Sequence, residues 1–575
     1  MELTQNQTAA KKPRFFVPQR LMITSWADVR KLFETLDQED IDNKEQLLAW
    51  LKKLSELEAV MQEELAWRYI RHTCNTKDQS LSDALHFYYQ EIEPHTQKFF
   101  DKFNRKILAS AVLNELEQEQ KFQIYFRSLR KSTEIFREEN LQLISEIQTL
   151  SSEYGKISGA MTIFYNDKEY TFNQAANFLK ERDRNLRKEI LDKIMHRRFQ
   201  DKDKLNKLFD DLLQKRHKMA LNAGFKNFRD YMFAELGRFD YSPEDCKQFH
   251  QSIIKHVVPA VQAIEEDRKR RLGYDILKPY DLDVDPDGNP PLKVFENGEQ
   301  LLALTIKNFK AIDPEFAEVI ARMNQLGHLD LESRIGKAPG GYNYPLYESG
   351  LPFIFMNAAG DLRDVVTMAH EGGHAVHAVL CDKLELSAFK HTPSEIAEVA
   401  SMAMELIAME HWDTIFSDQD ELKRAKHIQL EKILSVFPWI ACVDAFQHWV
   451  YENPDHTIAE REKAWTTITN QTQGIAVDRS DYALYQGSGW HKQLHIFEVP
   501  FYYIEYAIAQ LGAIGIWKNY KENPQRALRQ YKDALTAGYT KTLPELYRIA
   551  GVEFNFSSEY VKSLTDFVLV EKAKI

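Results

Sequence analysis

Residues 370–374 form a short motif, His-Glu-Gly-Gly-His, whose residue types and spacing could bind a metal ion. If this segment is helical, His370 and His374 lie one turn apart on the same face, where both imidazoles can reach one ion. Glu371 stands between them and can reach a water molecule bound to that ion. Two histidine ligands, a carboxylate base and an open coordination position are what zinc-dependent hydrolysis of a peptide bond requires. The motif therefore predicts a zinc peptidase.

The residues around the motif predict a buried helix that would position it. Asp361 followed three residues later by Asp364 is a helix-start pattern, and the residues after it are apolar on nearly every side. Polar groups on a buried helix need partners, because leaving them unpaired costs free energy. Gly372 and Gly373 each weaken a helix by about 1 kcal/mol, which predicts that another part of the chain approaches the backbone there.

A catalytic zinc ion usually has three protein ligands, and a second predicted helix offers the third. Residues 394–405 combine helical spacing with an apolar composition, which makes a purely solvated helix surface a poor interpretation. Glu395 and Glu398 lie one turn apart on this helix. Spacing alone therefore leaves both carboxylates as candidate ligands.

The composition indicates a globular enzyme. Of the 575 residues 44% are hydrophobic and 12% aromatic, and the net charge of −12 argues against nucleic acid or an anionic membrane as a partner. Residues 1–21 lack the apolar core of a secretory signal, and no segment approaches the about 18 consecutive apolar residues of a membrane span. The four cysteines are scattered and predict reduced thiols. We therefore expect a cytoplasmic protein.

Predicted secondary structure is mostly helical. Ser25 and Asp28 form a capping box before an amphipathic helix, and helical spacing continues through residues 47–61, 80–155 and 173–235. Residues 161–172 predict a short β-hairpin. Residues 283–288 imitate the start of a calcium loop, but Val294 stands where the bidentate glutamate belongs, so a solvated turn is predicted.

Two blocks resemble a known family. HEGGHAVH at 370–377, followed by EVASMAME at 398–405, resembles the M3 family of zinc oligopeptidases, the thimet oligopeptidase and oligoendopeptidase F group. The resemblance implies that Glu398 is the third metal ligand and that Glu405 orients a ligand histidine. Residues 336–342 resemble a loop of the oligoendopeptidase F branch.

Residues 352–357 resemble the strand that follows this loop, which in the family lies at the edge of a small sheet. An exposed strand edge can bind an extended peptide through main-chain hydrogen bonds. The loop and the strand are therefore predicted to bind substrate through Gly340, Gly341, Tyr342, Phe355, Met356 and Asn357.

A third block adds candidate catalytic donors. Tyr503 and Tyr506 match a family pair, spaced three apart, that faces the zinc ion and the scissile carbonyl. His495 precedes Tyr503 by eight residues, whereas the animal thimet branch has nine, so His491 remains an alternative to it. Such donors could stabilise a developing oxyanion by about 3–4 kcal/mol each.

The resemblance implies a mainly α-helical, two-lobed metallopeptidase with a deep central channel and a small β-sheet near the active site. Residues 1–180 are predicted to form a helical region that contributes to the channel wall, and residues 181–575 to form the catalytic domain. The predicted activity is zinc-dependent cleavage of short peptides by an endopeptidase, with Glu371 as general base and one zinc ion per chain. The ligand types also permit cobalt or manganese.

Two alternatives remain open at this point. A metallocarboxypeptidase would need a cationic anchor for the terminal carboxylate of its substrate, and no clear one stands in the downstream blocks. A non-catalytic peptide-binding protein with a structural zinc ion would need four protein ligands, whereas three are found beside an unspent Glu371. The sequence does not indicate an oligomeric state.

Overall fold

The computed structural model describes residues 12–334 and 336–575, and most of its regular structure is helical. The N-terminal helices are α1 (Trp26–Gln38), α2 (Lys44–Cys74), α3 (Gln79–Phe87), α4 (Glu93–Leu108), α5 (Leu113–Leu116), α6 (Gln120–Ile135) and α7 (Asn140–Gly159). After a hairpin of β1 (Thr162–Tyr165) and β2 (Lys168–Thr171) come α8 (Phe172–Ala176), α9 (Arg184–Gln200), α10 (Lys202–Asn222), α11 (Phe228–Glu235), α12 (Pro243–Leu272), α13 (Gly298–Ile312) and α14 (Pro314–Gln325).

The remaining chain holds a small sheet and the helices that follow it. The strands are β3 (Leu329–Glu332), β4 (Tyr342–Tyr344) and β5 (Phe353–Ala358). The helices are α15 (Leu362–Cys381), α16 (Ser387–Lys390), α17 (Ser394–Glu410), α18 (Gln419–Glu452), α19 (Ile458–Thr472), α20 (Ala483–Gln486), α21 (Leu494–Glu498), α22 (Ile504–Glu522), α23 (Pro524–Thr536), α24 (Leu543–Ile549) and α25 (Ser558–Ala573).

Local signals in the sequence form as expected. The capping box of Ser25 and Asp28 begins α1, and that of Asp361 and Asp364 begins α15. The hairpin pairs Tyr165 with Lys168 across a two-residue turn, in which Asn166 and Asp167 take the left-handed backbone that such turns require. These predictions are confirmed, because each depends on contacts within a few residues.

The small sheet corrects one prediction. Its strand order is β3-β5-β4, so β5 is paired on both sides and is not an edge strand. The physical reason lies in its composition, since Phe353, Ile354, Phe355 and Met356 form a continuous apolar run and all four are buried. A strand covered on both faces has such a continuous apolar sequence, whereas apolar and polar residues alternate along a half-exposed strand. The two edges are formed by β3 and β4 instead.

Two apolar cores account for the two lobes. One is built from residues between Val17 and Leu129 together with Leu386 and Phe389, and the larger one from residues between Ile135 and Val568. The predicted mainly α, two-lobed fold is confirmed. The predicted division at residue 180 stays a prediction. In the structure, the chain passes from the smaller apolar core to the larger one between Leu129 and Ile135.

The N-terminal lobe reaches the sheet through α2. Ala66 and Ile70 of this helix share a small buried cluster with Phe353 and Phe355. The ring of Tyr69 lies 5.5 Å from that of Tyr342. Helix α2 therefore supports the strands that carry the candidate site.

In the part of the chain that the structure describes, one helix, α18, is long and apolar enough to cross a membrane by length and composition alone. However, 72% of its most apolar 18-residue window is buried inside the protein. This burial is what a core helix of a large globular domain shows. The helix lies against α12, α19 and α22.

The calcium-like turn pairs with arginine side chains. Asp285 Oδ2 lies 2.7 Å from Arg424 Nε, and Asp287 Oδ1 accepts from Arg271 Nε at 3.0 Å. These carboxylates are therefore engaged in ion pairs. All four cysteines are buried and free of disulfide bonds.

Candidate active site and metal centre

The metal-ligand candidates converge at a crossing of two helices. His370 and His374 project from α15, and Glu398 projects from α17. Glu398 Oε2 lies 3.3 Å from His370 Nε2 and 3.6 Å from His374 Nε2. One ligand atom from each of the three side chains lies within 4.8 Å of the other two. The three predicted ligands therefore surround one point.

The paired glycines allow this close crossing. A Cβ atom added at Gly373 would lie 2.6 Å from Ala400 O and 2.7 Å from the Cα of Ser401, both in α17. One added at Gly372 would lie 2.6 Å from the Phe309 ring. Any larger residue at either position would push the helices apart, so the predicted close approach to the backbone is confirmed.

Glu395, the other candidate ligand, points into a different group of side chains. Its Oε1 accepts from the Tyr241 hydroxyl at 2.5 Å and lies 4.0 Å from Arg238 Nε. Glu398 alone of the pair meets the histidines among the residues described. The structure thus selects the carboxylate that the family resemblance implied and that spacing left open.

Glu405 lies behind His370, as predicted. Its Oε1 accepts from His370 Nδ1 at 2.7 Å, and its Oε2 accepts from Gln429 Nε2 at 3.1 Å. A histidine that donates from Nδ1 leaves the lone pair of Nε2 for a metal ion. Glu405 therefore sets both the tautomer and the orientation of this ligand.

The donor set fits a divalent cation. Burial lowers the pKa of His370, but hydrogen bonds to Glu398 and Glu405 outweigh it and raise that pKa well above its usual value. Burial likewise raises the pKa of Glu398, but His374 and His370 outweigh it and hold that pKa well below its usual value. The point between the three side chains thus favours positive charge. Two imidazoles, one carboxylate and an open side are the donors of a catalytic zinc site.

Glu371 lies beside this point without being one of the converging ligands. Its side chain is buried, and burial raises its pKa although His370 and His374 lower it. A carboxylate whose pKa moves toward neutrality is suited to accept and return a proton. The position of Glu371 next to the metal ligands is what a general base needs.

The site opens into a cavity of about 370 Å³. Gly341, Tyr342 and Asn343 line it from the strand side, and Tyr502 and Tyr506 line it together with Glu398 and the two histidines. The Asn343 side chain donates to the backbone oxygen of Glu371 at 3.1 Å. The edge strand β4 therefore borders the cavity directly.

Of the six predicted substrate-binding residues, Gly341 and Tyr342 line this cavity. Gly340 and Asn357 act together, since the Asn357 side chain donates to Gly340 O at 2.8 Å and holds the loop. Phe355 and Met356 are 0% and 1% exposed, so their side chains are buried. The strand that carries them lies in the middle of the sheet and is paired on both sides, and a role of these two residues in substrate binding stays a prediction.

The aromatic turn before α22 contains a residue that the sequence reasoning missed. The Tyr502 hydroxyl donates to Glu398 Oε1 at 2.6 Å, which orients the metal-ligand carboxylate. The next residue, Tyr503, was the predicted catalytic donor. Its ring packs 4.8 Å from the His495 ring, and it does not line the cavity. Its catalytic role stays a prediction.

The turn has an unusual backbone, which explains the miss. Phe501 takes a positive φ of 66°, and α22 begins only at Ile504. Arg238 Nη2 donates to Phe501 O, and Phe501 N donates to the Gln447 side chain at 2.8 Å. Helical spacing does not apply across such a turn, so it could not rank Tyr502 against Tyr503. Pro500 was the available signal that a helix had not yet begun.

His495, rather than His491, lies in this group. His495 Nε2 and the Tyr506 hydroxyl are 3.4 Å apart, and Gln493 Nε2 lies 2.7 Å from His495 Nδ1. Burial lowers the pKa of His495 to about 4, so the ring is neutral at pH 7. His491 is buried elsewhere, with its Nε2 3.2 Å from Asn206 Oδ1.

Comparisons with known proteins agree with this geometry. The family model described as "Peptidase family M3" matches residues 177–566, and "Peptidase M3 N-terminal domain" matches residues 20–136. An oligoendopeptidase F homolog of Borreliella burgdorferi is 23% identical over 463 residues, which cover 77% of this chain and 75% of that protein. Oligopeptidase PepF of Bacillus subtilis is 23% identical over 400 residues, covering 68% of this chain and 57% of that protein.

A solved structure is similar over almost the whole chain. PZ peptidase A, determined with an inhibitor, superposes with a TM-score of 0.91 at 28% identity and covers 98% of this chain and 99% of its own. The family matches together span both lobes of the fold. Because the family model covers more than half of the residues and its metal-binding motif folds as the chemistry demands, this chain belongs to peptidase family M3, on its oligoendopeptidase F branch, and is a metalloendopeptidase.

Proposed function

We propose that this protein is a zinc-dependent endopeptidase that hydrolyses short peptides, with Glu371 as its general base. The observation that carries the proposal is the convergence of His370, His374 and Glu398 on one wall of a cavity. Glu371 lines the same cavity and is not one of the three converging ligands. A purely structural zinc site would use four protein ligands and would be closed. The proposed metal is one zinc ion at this site.

The chemistry divides between the ion and the side chains. Zinc held by His370, His374 and Glu398 would supply a Lewis acid that polarises the peptide carbonyl and lowers the pKa of a water molecule. Glu371 accepts a proton from the attacking water and returns it to the leaving amine. Its buried position keeps bulk water from competing for that proton.

Tyr506 and His495 are the proposed donors to the oxyanion that forms during attack. Tyr506 lines the cavity, and the neutral His495 lies beside its hydroxyl. If the Gln493 amide donates to His495 Nδ1, the proton of the ring is on Nε2, from which it can donate. Such donors act on charge that appears in the transition state and so raise kcat rather than affinity.

Peptide binding is proposed at the outer edge of β4. One side of this strand pairs with β5, and β4 ends the strand order of the sheet. An extended peptide can add to such an edge through main-chain hydrogen bonds, which place few demands on its sequence. A folded protein cannot present an extended segment to a strand that lies inside a cavity, so peptide length becomes the main filter.

A carboxypeptidase reading finds little support in the cavity. Among the described residues that line it, the one lysine or arginine is Lys390, and its Nζ lies 3.2 Å from Asp382 Oδ1. A cation already paired with a carboxylate is a poor anchor for the terminal carboxylate of a substrate. The cytoplasmic location predicted from the sequence stays a prediction.

The test is a digest of peptides from about five to forty residues, each with a free and an amidated C-terminus, beside one folded and one denatured protein. We expect internal cleavage of the short peptides with either terminus, and an intact folded protein. Glu371→Gln, purified in the same way, is the control for a contaminating protease. Removal of single C-terminal residues from free termini alone would instead establish a carboxypeptidase, and equal cleavage of the folded protein would refute the length filter.

A further inference from the structure

A second group of metal-binding side chains lies between α12 and α18, apart from the HExxH helix. Cys246 and His250 stand one turn apart on α12, and Asp444 and His448 stand one turn apart on α18. The two pairs face each other across the interface of these helices. All four side chains are buried, with exposures of 2%, 5%, 0% and 3%.

The ligand atoms of this group are close together. Asp444 Oδ2 lies 2.8 Å from His250 Nε2 and 3.2 Å from His448 Nε2. Single ligand atoms of Cys246, Asp444 and His448 lie within 4.8 Å of one another, and His250 adjoins these three through its contact with Asp444 and would move toward them to become the fourth ligand. Among the residues described, the only other such group is formed by His370, His374 and Glu398.

The group lacks the hydrogen bonds that its burial would demand. His448 Nδ1 and Asp444 Oδ1 have no hydrogen-bond partner, and His448 Nε2 has only its 3.2 Å contact with Asp444 Oδ2. Aromatic rings cover His448, since the rings of Phe233 and Phe501 lie 6.1 and 5.4 Å from its own. Buried polar atoms left in this state cost free energy, which a further binding partner would recover.

We propose that Cys246, His250, Asp444 and His448 bind a structural zinc ion. A thiolate, a carboxylate and two neutral imidazoles balance the two positive charges of zinc, so the filled site is neutral, as its depth requires. Four protein ligands and no open position are the composition of a structural zinc site. Thiolate and imidazole donors favour zinc over the hard cations magnesium and calcium.

Metal binding at this site releases one proton. The Cys246 thiol loses its proton to become the thiolate, and neutral His250 keeps its single ring proton, which moves from Nε2 to Nδ1 so that Nε2 can bind the ion. Ligand atoms around zinc are about 3.3–3.7 Å apart. The 2.8 Å contact between His250 and Asp444 is that of a hydrogen bond, and it lengthens by about half an ångström when the ion replaces the proton.

The position of the site indicates what the ion does. It joins α12 to α18, two of the longest helices of the larger lobe. His448 packs on Phe501, whose left-handed turn precedes the tyrosine that contacts Glu398. The ion therefore stabilises the floor beneath the catalytic turn and takes no part in the reaction.

The full-length protein, produced in cells supplied with cobalt in place of zinc, tests the proposal. A cobalt–thiolate bond has a charge-transfer band in the near ultraviolet, and the catalytic ligands include no thiolate. We expect two metal ions per chain by elemental analysis, together with this band. Cys246→Ser should abolish the band and lower the metal content by one, whereas Cys442→Ser, at a buried cysteine of α18 outside the group, should leave both unchanged.

The experiment tests the buried metal site separately from the catalytic one. His374→Ala should lose one ion and the activity but keep the band, which separates the catalytic site from the buried one. One metal ion per chain in the unsubstituted protein, no band, and none left in His374→Ala would overturn the proposal and leave the four residues as a hydrogen-bonded group. Should Cys246→Ser not fold, the metal content of the other proteins decides the question.

Discussion

The two metal-ligand groups of this protein use similar donors for different ends. His370 and His374 are 19% exposed at the side chain, line a cavity and meet one carboxylate. The four side chains of the group between α12 and α18 are buried and include a thiol, and two aromatic rings pack on His448. Ligand count and access to water, rather than ligand type, separate a catalytic centre from a structural one.

The difference also appears in the side chains beside the ligands. Glu371 and Tyr506 face the cavity next to the first group, where a substrate can reach them. None of the four buried side chains lines that cavity. Substitutions in the first group should therefore change turnover, and those in the second should change stability.

The largest expected effect is that of removing a cavity ligand. His370→Ala should lose the catalytic metal ion and all measurable peptidase activity, because two remaining ligands cannot hold the ion in place. Elemental analysis and a peptide assay measure both. His377→Ala is the matched control, since His377 lines the same cavity from the same helix without joining the ligand group. A full metal complement in His370→Ala would show that the ligands are misassigned.

Next in size is the loss of the general base. Glu371→Gln should retain the metal ion and the fold but lower kcat by about 10²–10⁴-fold or more, since the same group also returns the proton. Turnover within tenfold of the unsubstituted enzyme would contradict the mechanism. Circular dichroism and metal analysis on the same preparation exclude unfolding as the cause.

The tyrosines should rank by their place in the cavity. Tyr506→Phe should lower kcat by about 10²–10³-fold, as expected for the loss of one oxyanion donor, with little change in KM. Tyr503→Phe should cost less than tenfold, because its ring packs against His495 outside the cavity lining. The opposite ranking would restore the sequence-based assignment of Tyr503 to the transition state.

A smaller effect is expected from Glu405, which contacts the ligand His370 but does not itself bind the metal ion. Glu405→Gln keeps the shape of the side chain but weakens its hydrogen bond with His370 Nδ1, so metal affinity should fall by about 10–100-fold. Activity should return when zinc is added in excess. Competition with a chelator of known affinity measures the change, and an unchanged affinity would mean that Glu405 does not orient the ligand.

The smallest effect on activity should come from the buried group. His448→Ala removes a neighbour of the buried Asp444 carboxylate and should lower the free energy of unfolding by about 3–5 kcal/mol, while activity per folded molecule changes less than tenfold. Denaturant titrations of His448→Ala and His374→Ala make the comparison. If His374→Ala were the less stable of the two, the division between a catalytic and a structural group would fail.

Much of the catalytic site follows from the sequence because its geometry is local. The positions of His370, Glu371 and His374 on one helix depend only on helical periodicity. The two glycines indicated a close helix crossing before any partner was known. The choice of Glu398 over Glu395 needed the family resemblance, since both lie on the same helix one turn apart.

The tertiary structure decided what depends on distant contacts. It placed β5 in the middle of the sheet, put the Tyr502 hydroxyl on Glu398 through the left-handed turn at Phe501, and brought α12 against α18. The pairs Cys246 with His250 and Asp444 with His448 are visible in the sequence only as unrelated helix positions. Their meeting depends on how the apolar faces of the two helices pack, because periodicity determines which side chains share a face but not which faces come together.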